Sequence, residues 1–193
     1  MQMDLLIKKI NAVVPVSETD KQIIRSLFQK KVIPKNGYLL QAGQTCRHLF
    51  FIETGLVRYY SVTDGEEKTN YFNKEAEWVC DYPGFIPQST STVNIQALEP
   101  TTVWTITYEN LQTFYLKVSH GERYGRLAIE YVFIDILSQI LSLYKDKPEQ
   151  RYEKFLKLYA DIAQRIPQYY IASYVGVKAP SLSRIRKRIV NPV

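Results

Sequence analysis

Gln168-Tyr-Tyr-Ile-Ala-Ser-Tyr-Val-Gly-Val-Lys-Ala-Pro-Ser-Leu-Ser-Arg-Ile-Arg-Lys187 is the stretch on which the reading of this chain turns. Its first eight residues make a short helical run in which Ala172 is small enough for a second helix to cross closely. Four residues on, Gly176 supplies the permissive backbone of a turn that Val177-Lys178-Ala179 completes. Pro180 suits the first turn of a new helix, where its missing N–H costs nothing, and Leu182, Ile185 and Ile189 then repeat as a buried stripe. At about 100° per residue, Pro180, Arg184 and Lys187 point away from that stripe, with Ser181 and Arg188 on its flank. A basic run alone is more often a solvated face. Here the Ala, Gly and Leu/Ile spacing favours a helix-turn-helix whose second helix enters a DNA major groove. Arg184 is the candidate base reader, through guanine O6 and N7. Lys187, Arg188 and the hydroxyls of Tyr169 and Tyr170 are candidates for phosphates, and Lys178, Ser181 and Ser183 complete the DNA-binding set.

Charge agrees with that placement. Residues 1–150 hold 16 Lys/Arg against 17 Asp/Glu, whereas residues 151–193 hold 9 against 2, so a near-neutral body carries a strongly basic tail suited to a polyanion. With 46% hydrophobic and 23% charged residues among 193, the chain is globular rather than disordered. No unbroken apolar run reaches 18 residues and Met1 to Asn11 does not form a leader, so a cytoplasmic location without a membrane partner is expected. Cys46 and Cys80 stand alone, too few for a structural zinc site or an iron–sulfur cluster, and read as buried thiols.

Residues 3–12 read as a short amphipathic helix, and Ser17 with Asp20 as a capping box that opens a second helix to about Phe28. From Lys31 to Thr107, runs rich in Val, Ile, Tyr, Phe and Thr are broken by Gly and Pro, the pattern of an all-β sandwich or barrel. The clearest strands are 48–52, 56–62, 68–72, 93–97 and 102–106, with a hairpin turn at Asp64-Gly65. A short helix then runs to about Val118 and a long one from Glu122 to about Tyr144. The apolar residues of the long helix cover more than one face, which predicts one face on the barrel and another, including Phe133, Ile136, Leu137 and Ile140, on a second copy. Lys147-Pro148 makes a hinge, and a further helix from Glu149 to about Gln164 leads into the opening motif.

The order of elements and several strings resemble the Crp/Fnr family of bacterial transcription regulators. The strings are Phe51-Ile-Glu-Thr-Gly-Leu-Val-Arg-Tyr-Tyr60 with Asp64-Gly-Glu66, Ala97-Leu-Glu99, Glu149-Gln-Arg-Tyr152, and Pro167 to Tyr174 with Leu182-Ser-Arg-Ile-Arg186. The resemblance implies an α+β fold: an N-terminal β jelly-roll barrel of the cyclic-nucleotide-binding type over 1–118, a dimerisation helix and hinge over 119–147, and a helix-turn-helix domain over 148–193. It implies a homodimeric regulator whose recognition helix spans about 180–190, with double-stranded DNA, RNA polymerase and an unidentified small-molecule effector as partners. Two departures qualify it. The phosphate-binding cassette of nucleotide-binding members corresponds here to Trp78–Asn94, where Cys80-Asp81 stands for Gly-Glu and Ser91-Thr92 for Arg-Ser or Arg-Thr. A cassette without its cation loses the charge-assisted phosphate contact, so no response to cyclic AMP is expected. Trp78, Cys80, Asp81, Ser91 and Thr92 remain the candidates for lining a sensor pocket. The recognition helix, in turn, starts Ala179-Pro180-Ser181 where family members commonly place Glu or Arg, and the chain ends at Val193 with little or no wing.

An enzyme is not expected. His48 and His120 lie 72 residues apart without metal-ligand spacing, and the sequence holds no nucleophile set, Walker loop or dinucleotide fingerprint. No catalytic residue, metal or cofactor is therefore assigned. The competing reading is a ligand-sensing or scaffold dimer of the same fold that does not bind DNA sequence-specifically.

Overall fold

The computed structural model describes residues 3–190, the side chain of Val190 excepted; the position of a wing falls outside the described residues. Helix α1 (Asp4–Asn11) turns Leu6, Ile7 and Ile10 inward. Helix α2 (Glu18–Leu27) begins at the expected capping box, where Ser17 Oγ accepts from the Asp20 N–H at 3.1 Å and the Asp20 carboxylate accepts from the Ser17 N–H at 3.0 Å. Each interaction satisfies a backbone donor that a helix start leaves orphaned.

Eight strands follow: β1 (Gln29–Ile33), β2 (Tyr38–Leu40), β3 (His48–Thr54), β4 (Val57–Thr63), β5 (Glu66–Asn73), β6 (Trp78–Val79), β7 (Asn94–Ala97) and β8 (Thr101–Thr107), with a short helix α3 (Tyr82–Phe85) between β6 and β7. They form two four-stranded sheets, ordered β1-β8-β3-β6 and β2-β7-β4-β5. The five strands legible in the sequence are present. Those it did not single out are the weakly patterned ones: only Ile33 of β1 is buried, β2 has three residues and β6 two. β1 exists because it pairs with β8, Lys31 opposite Val103, and not because its own residues alternate. At the β4–β5 turn, Asp64 and Gly65 have φ 53° and 76°, the left-handed pair a two-residue hairpin requires. Gly55, between β3 and β4, has φ 110°, and a Cβ there would lie 2.4 Å from Thr101 Oγ1, so no other residue fits.

Phe51, Ile52, Val57, Ile95, Val103 and Trp104, drawn from both sheets, share one core with α1, α2, helix α4 (Tyr108–Lys117) and the first turn of helix α5 (Gly121–Lys145). Burying each such side chain contributes about 1.5–3 kcal/mol. Helices α6 (Pro148–Leu158), α7 (Gln168–Val175) and α8 (Ala179–Val190) complete the chain. α6 ends at Leu158, short of Gln164: Tyr159 leaves the helical region (φ −114°, ψ 30°), and turns follow through Arg165. Its aromatics pack instead of continuing the spiral, with Phe155 and Tyr159 against Tyr174.

By compactness the chain divides into two units, Met1–Tyr59 with Phe72–Val132 and Tyr60–Tyr71 with Phe133–Val193. The boundary passes through α5, of which only Gly121 and Tyr124 are buried. Packing on the barrel therefore accounts for the start of this helix. Beyond it Phe133 is 65% exposed, and Ile134, Ile136, Leu137, Ile140, Leu141 and Leu143 are exposed as well. By length and composition α5 also meets the requirement for a helix that crosses a membrane.

Candidate nucleic-acid interface

α7 and α8 are joined as the sequence predicts. Gly176 caps α7 in the left-handed conformation (φ 79°, ψ 34°), and its N–H and that of Val177 bond back to Ser173 and Ala172 carbonyls. α8 starts one residue earlier than expected, at Ala179, which puts Pro180 in the second position of its first turn. Ala172 and Val175 of α7 and Leu182 and Ile185 of α8 are buried, whereas Ser183, Arg184, Lys187 and Arg188 are exposed. The two sides of α8 thus separate at Leu182 and Ile185, whereas Ile189, the third residue of the expected buried stripe, is only half-buried.

Within this unit the cationic side is partly tied down. Lys178, in the turn, pairs with Glu66 at 2.5 Å, and Arg188 pairs with Glu149 at 2.8 Å. Hydrogen bonds from Lys178 and Lys68 hold the Glu66 carboxyl down at about 2. Ser181 accepts a 3.3 Å bond from Arg184 Nη2, which fixes the arginine along the helix. Tyr169, 58% exposed, lies against Tyr170 with ring centroids 4.1 Å apart. An open groove between the start of α6 and α8 is lined by Pro148, Glu149, Val177, Arg184, Lys187 and Arg188 among others.

Two contacts of the helix-turn-helix left no trace in the sequence pattern. Arg151 of α6 donates from Nε to the Val175 carbonyl (2.7 Å) and from Nη1 to the Asp146 carbonyl (2.8 Å), so one guanidinium caps the ends of α7 and α5. Only its membership of Glu149-Gln-Arg-Tyr152 hinted at a role. Ser173 of α7 accepts from the Thr69 N–H (2.9 Å) and donates to the Glu67 carbonyl (3.2 Å), so the tip region of the β4–β5 hairpin lies on the helix-turn-helix. Beside it the Tyr71 hydroxyl bonds to Asp135 on the polar side of α5, opposite its exposed apolar residues.

The five pocket candidates are distributed differently. Trp78 donates its Nε1–H to the Tyr124 hydroxyl at 2.8 Å, and the buried Ser91 Oγ is committed to Val93, bonding both its N–H and its carbonyl at 3.1 Å. Thr92 faces outward. Cys80 and Asp81 are partly exposed, and the Cys80 backbone is held by the Tyr59 hydroxyl, which accepts from its N–H at 2.8 Å. Aromatic rings fill the surroundings: burial raises the Tyr124 hydroxyl to about 12 and pushes the Tyr82 hydroxyl up as well. A buried cation that the sequence reading passed over, Arg58 of β4, directs Nε and Nη2 at Gln96 Oε1 (3.1 and 2.8 Å) inside the barrel.

A two-sheet barrel with a short helix between its sixth and seventh strands is followed along the chain by a long helix and a helix-turn-helix. Residues 30–117 match the cyclic nucleotide-binding domain family, and the chain has the fold of the Crp/Fnr family regulators. It superposes on FixK2 from Bradyrhizobium japonicum over 84% of both chains, with a TM-score of 0.73 at 15% identity. With a CooA variant from Carboxydothermus hydrogenoformans it shares 98% of its own length and 86% of the other, with a TM-score of 0.72 at 17% identity. With a Crp/Fnr family protein from Eubacterium rectale the shares are 91% and 84%, the TM-score 0.68 and the identity 18%. No curated protein sequence matches the chain.

Proposed function

We propose that the protein is a homodimeric, DNA-binding transcription regulator of the Crp/Fnr type, acting in the cytoplasm, with domains at about 1–118, 119–147 and 148–193. The observation that carries this is the turn at Gly176 together with α8, which buries Leu182 and Ile185 and exposes Arg184, Lys187 and Arg188. Arg184 reads a guanine in the major groove, while Lys178, Lys187, Arg188, Ser181, Ser183 and the Tyr169 and Tyr170 hydroxyls hold phosphates and position the helix. The ion pairs of Lys178 and Arg188 do not prevent this, because exposed pairs contribute at most about 1 kcal/mol and a phosphate competes for the same cation. Each cation so engaged adds to a steep salt dependence. The exposed apolar side of α5 is covered by the same side of a second copy, which sets two reading heads on a two-fold axis. RNA polymerase is the further protein partner this reading implies.

Selection from a randomised duplex pool, read by gel shift at low salt, tests the proposal. An enriched, salt-sensitive sequence with two-fold symmetry is expected. Arg184→Ala is expected to relax preference at one position per half-site, by about 1–3 kcal/mol, whereas Lys187→Ala should weaken all duplexes alike. Uniform weakening by both would remove Arg184 as the base reader. If nothing is enriched, the second reading holds, a scaffold or ligand-sensing dimer in which the Lys178–Glu66 and Arg188–Glu149 pairs are the cations' permanent partners.

No Lys or Arg stands between Trp78 and Asn94, and Ser91 is committed to its own loop. Cyclic AMP and cyclic GMP at micromolar concentration are therefore expected to leave the melting temperature unchanged, since a ligand stabilises in proportion to its binding. A shift of several degrees would restore a nucleotide to this pocket.

A further inference from the structure

α5 stops at Lys145 and α6 starts at Pro148, so Asp146 and Lys147 alone connect them, at the point where the sequence predicts a hinge. Residues of α6 fasten that joint. Arg151, half-buried, donates from Nη1 to the Asp146 carbonyl (2.8 Å) and from Nε to the Val175 carbonyl (2.7 Å). Lys154, one turn further along α6, pairs with the Asp146 carboxylate at 2.5 Å, and the Ser142 hydroxyl bonds to the same group. These bonds, the one from Lys154 first, hold the Asp146 carboxyl below its usual range. The two carbonyls that Arg151 reaches lie at the C-terminal ends of α5 and α7, where carbonyls have no partner within the helix and the helix dipole is negative. One guanidinium therefore satisfies both helix ends at once. Its Nη2 would lie 3.3 Å from a Cβ on Gly176, so the bare turn glycine gives the fork its approach.

We propose that Arg151 is the positioning residue of the helix-turn-helix: it fixes the direction of α8 relative to α5, and with it the half-site spacing that a dimer accepts. The clause on spacing rests on the DNA-binding reading above. α7 and α8 pack on each other, so whatever holds the end of α7 holds α8. Arg151 acts through main-chain carbonyls and not through a base or a phosphate. A second restraint reaches α7 from the β4–β5 hairpin, through Ser173 to Thr69 and Glu67 and through Lys178 to Glu66. It is the weaker of the two. The Ser173 bonds join neutral groups, charge-assisted bonds are about twice as strong as neutral ones, and the Lys178–Glu66 pair is exposed. Phosphates compete for Lys178 and Arg188, whereas the Arg151 fork, engaged on two carbonyls, is kept when a duplex binds. In a two-fold dimer the two α8 helices have to meet major grooves roughly 34–36 Å apart, so a joint that swings at Pro148 spreads the spacing and one held by Arg151 selects it. Lysine does not replace it, because an ammonium is a point charge without the planar fork that spans two acceptors.

The test has two arms, both on the full chain. The first needs no DNA: nitroxides are attached to a ketone-bearing amino acid in place of Ser138 of α5 and Ser183 of α8, both exposed, and the distance between them is read by pulsed electron spin resonance. Labelled chain is diluted with unlabelled chain so that only distances within one chain count. The otherwise wild-type chain is expected to give one narrow distance, and Arg151→Ala and Arg151→Lys to lose it for a broad distribution. Arg151→Lys keeps the charge and the apolar stem, so it decides the matter with helix content retained even where Arg151→Ala fails to fold. Glu66→Ala combined with Ser173→Ala, which frees the hairpin, should leave the distance narrow. A narrow distance in Arg151→Lys, or equal broadening by the hairpin variant, would overturn the proposal. The second arm measures binding to duplexes whose two half-sites are moved apart by one or two base pairs. Wild type should prefer one spacing by at least about tenfold, because a dimer that cannot engage both half-sites loses its avidity, and Arg151→Lys should level that preference while binding a single half-site as wild type does. A spacing preference unchanged in Arg151→Lys would remove the role in spacing. Should wild type select no duplex at all, the DNA-binding reading fails, and the distance arm still decides what Arg151 holds.

Discussion

Replacing Ile136 and Ile140 together by glutamate is expected to dissociate the proposed dimer and, with it, to abolish the selective duplex binding proposed for it. Both side chains lie on the apolar side of α5, each 45% exposed in the single chain. In a two-fold interface every substitution occurs twice, so four carboxylates enter one seam with no basic residue of α5 between Phe133 and Tyr144 to receive them. A charge left unpaired in an apolar contact costs several kcal/mol, and every 1.4 kcal/mol is tenfold, so dimer affinity should fall by at least about a thousandfold. Sedimentation equilibrium measures this directly. Because the same side chains are already half in water in the monomer, the circular dichroism spectrum and the melting of the monomer should change little. A dimer that persists in the double variant would place the symmetric contact elsewhere.

Asp20→Ala is expected to destabilise the fold by about 2–4 kcal/mol, because several donors, two of them backbone N–H groups, converge on one buried carboxylate. Asp20 is 2% exposed; Oδ2 accepts from the Ser17 N–H (3.0 Å) and hydroxyl (2.6 Å), and Oδ1 from the Ser119 N–H (2.8 Å) and hydroxyl (3.0 Å). The side chain thus fixes the start of α2 and the loop before α5 at once. Burial by itself pushes this carboxyl up, but the hydrogen bonds from Ser17 and Ser119 outweigh it and hold the group at about 2. A folded value below the unfolded 3.8 means that the unfolded chain binds the proton more readily, so the stabilisation is complete above about pH 4 and is lost as pH falls towards 2. Denaturant titrations from pH 7 to pH 2.5 should show wild type and Asp20→Ala converging at the acid end. A gap that stays constant across that range would mean that the carboxylate is not held in this way.

The capping box illustrates how far the sequence reaches. Ser17 and Asp20 are three residues apart, and local geometry alone commits them to cap α2. The bonds from Ser119, 99 residues away, follow from no local rule. The same division separates the helix-turn-helix from the barrel. Gly176, Leu182 and Ile185 are legible because helix period and turn chemistry act over a few residues, and α8 arrives within one residue of its expected start. Arg151 was not, because its acceptors are main-chain carbonyls of other elements, which any sequence possesses. The pocket candidates were placed by correspondence with the cassette. Whether Trp78 and Ser91 offered their polar atoms to a ligand or to Tyr124 and Val93 depended on neighbours that only packing supplies.

By itself the sequence determined the order of elements, the turns at Asp64-Gly65 and Gly176, the basic tail and the apolar excess of the long helix, all of them properties of short-range period, backbone freedom and composition. Tertiary structure alone decided that β1 is a strand, that α6 ends at Leu158, that the β4–β5 hairpin bonds to Ser173 and Lys178, and that Ser119 bonds to Asp20. Each of these joins residues distant in the chain, and the free energy that selects such a contact comes from burial and hydrogen bonding in the assembled core, which no local pattern encodes.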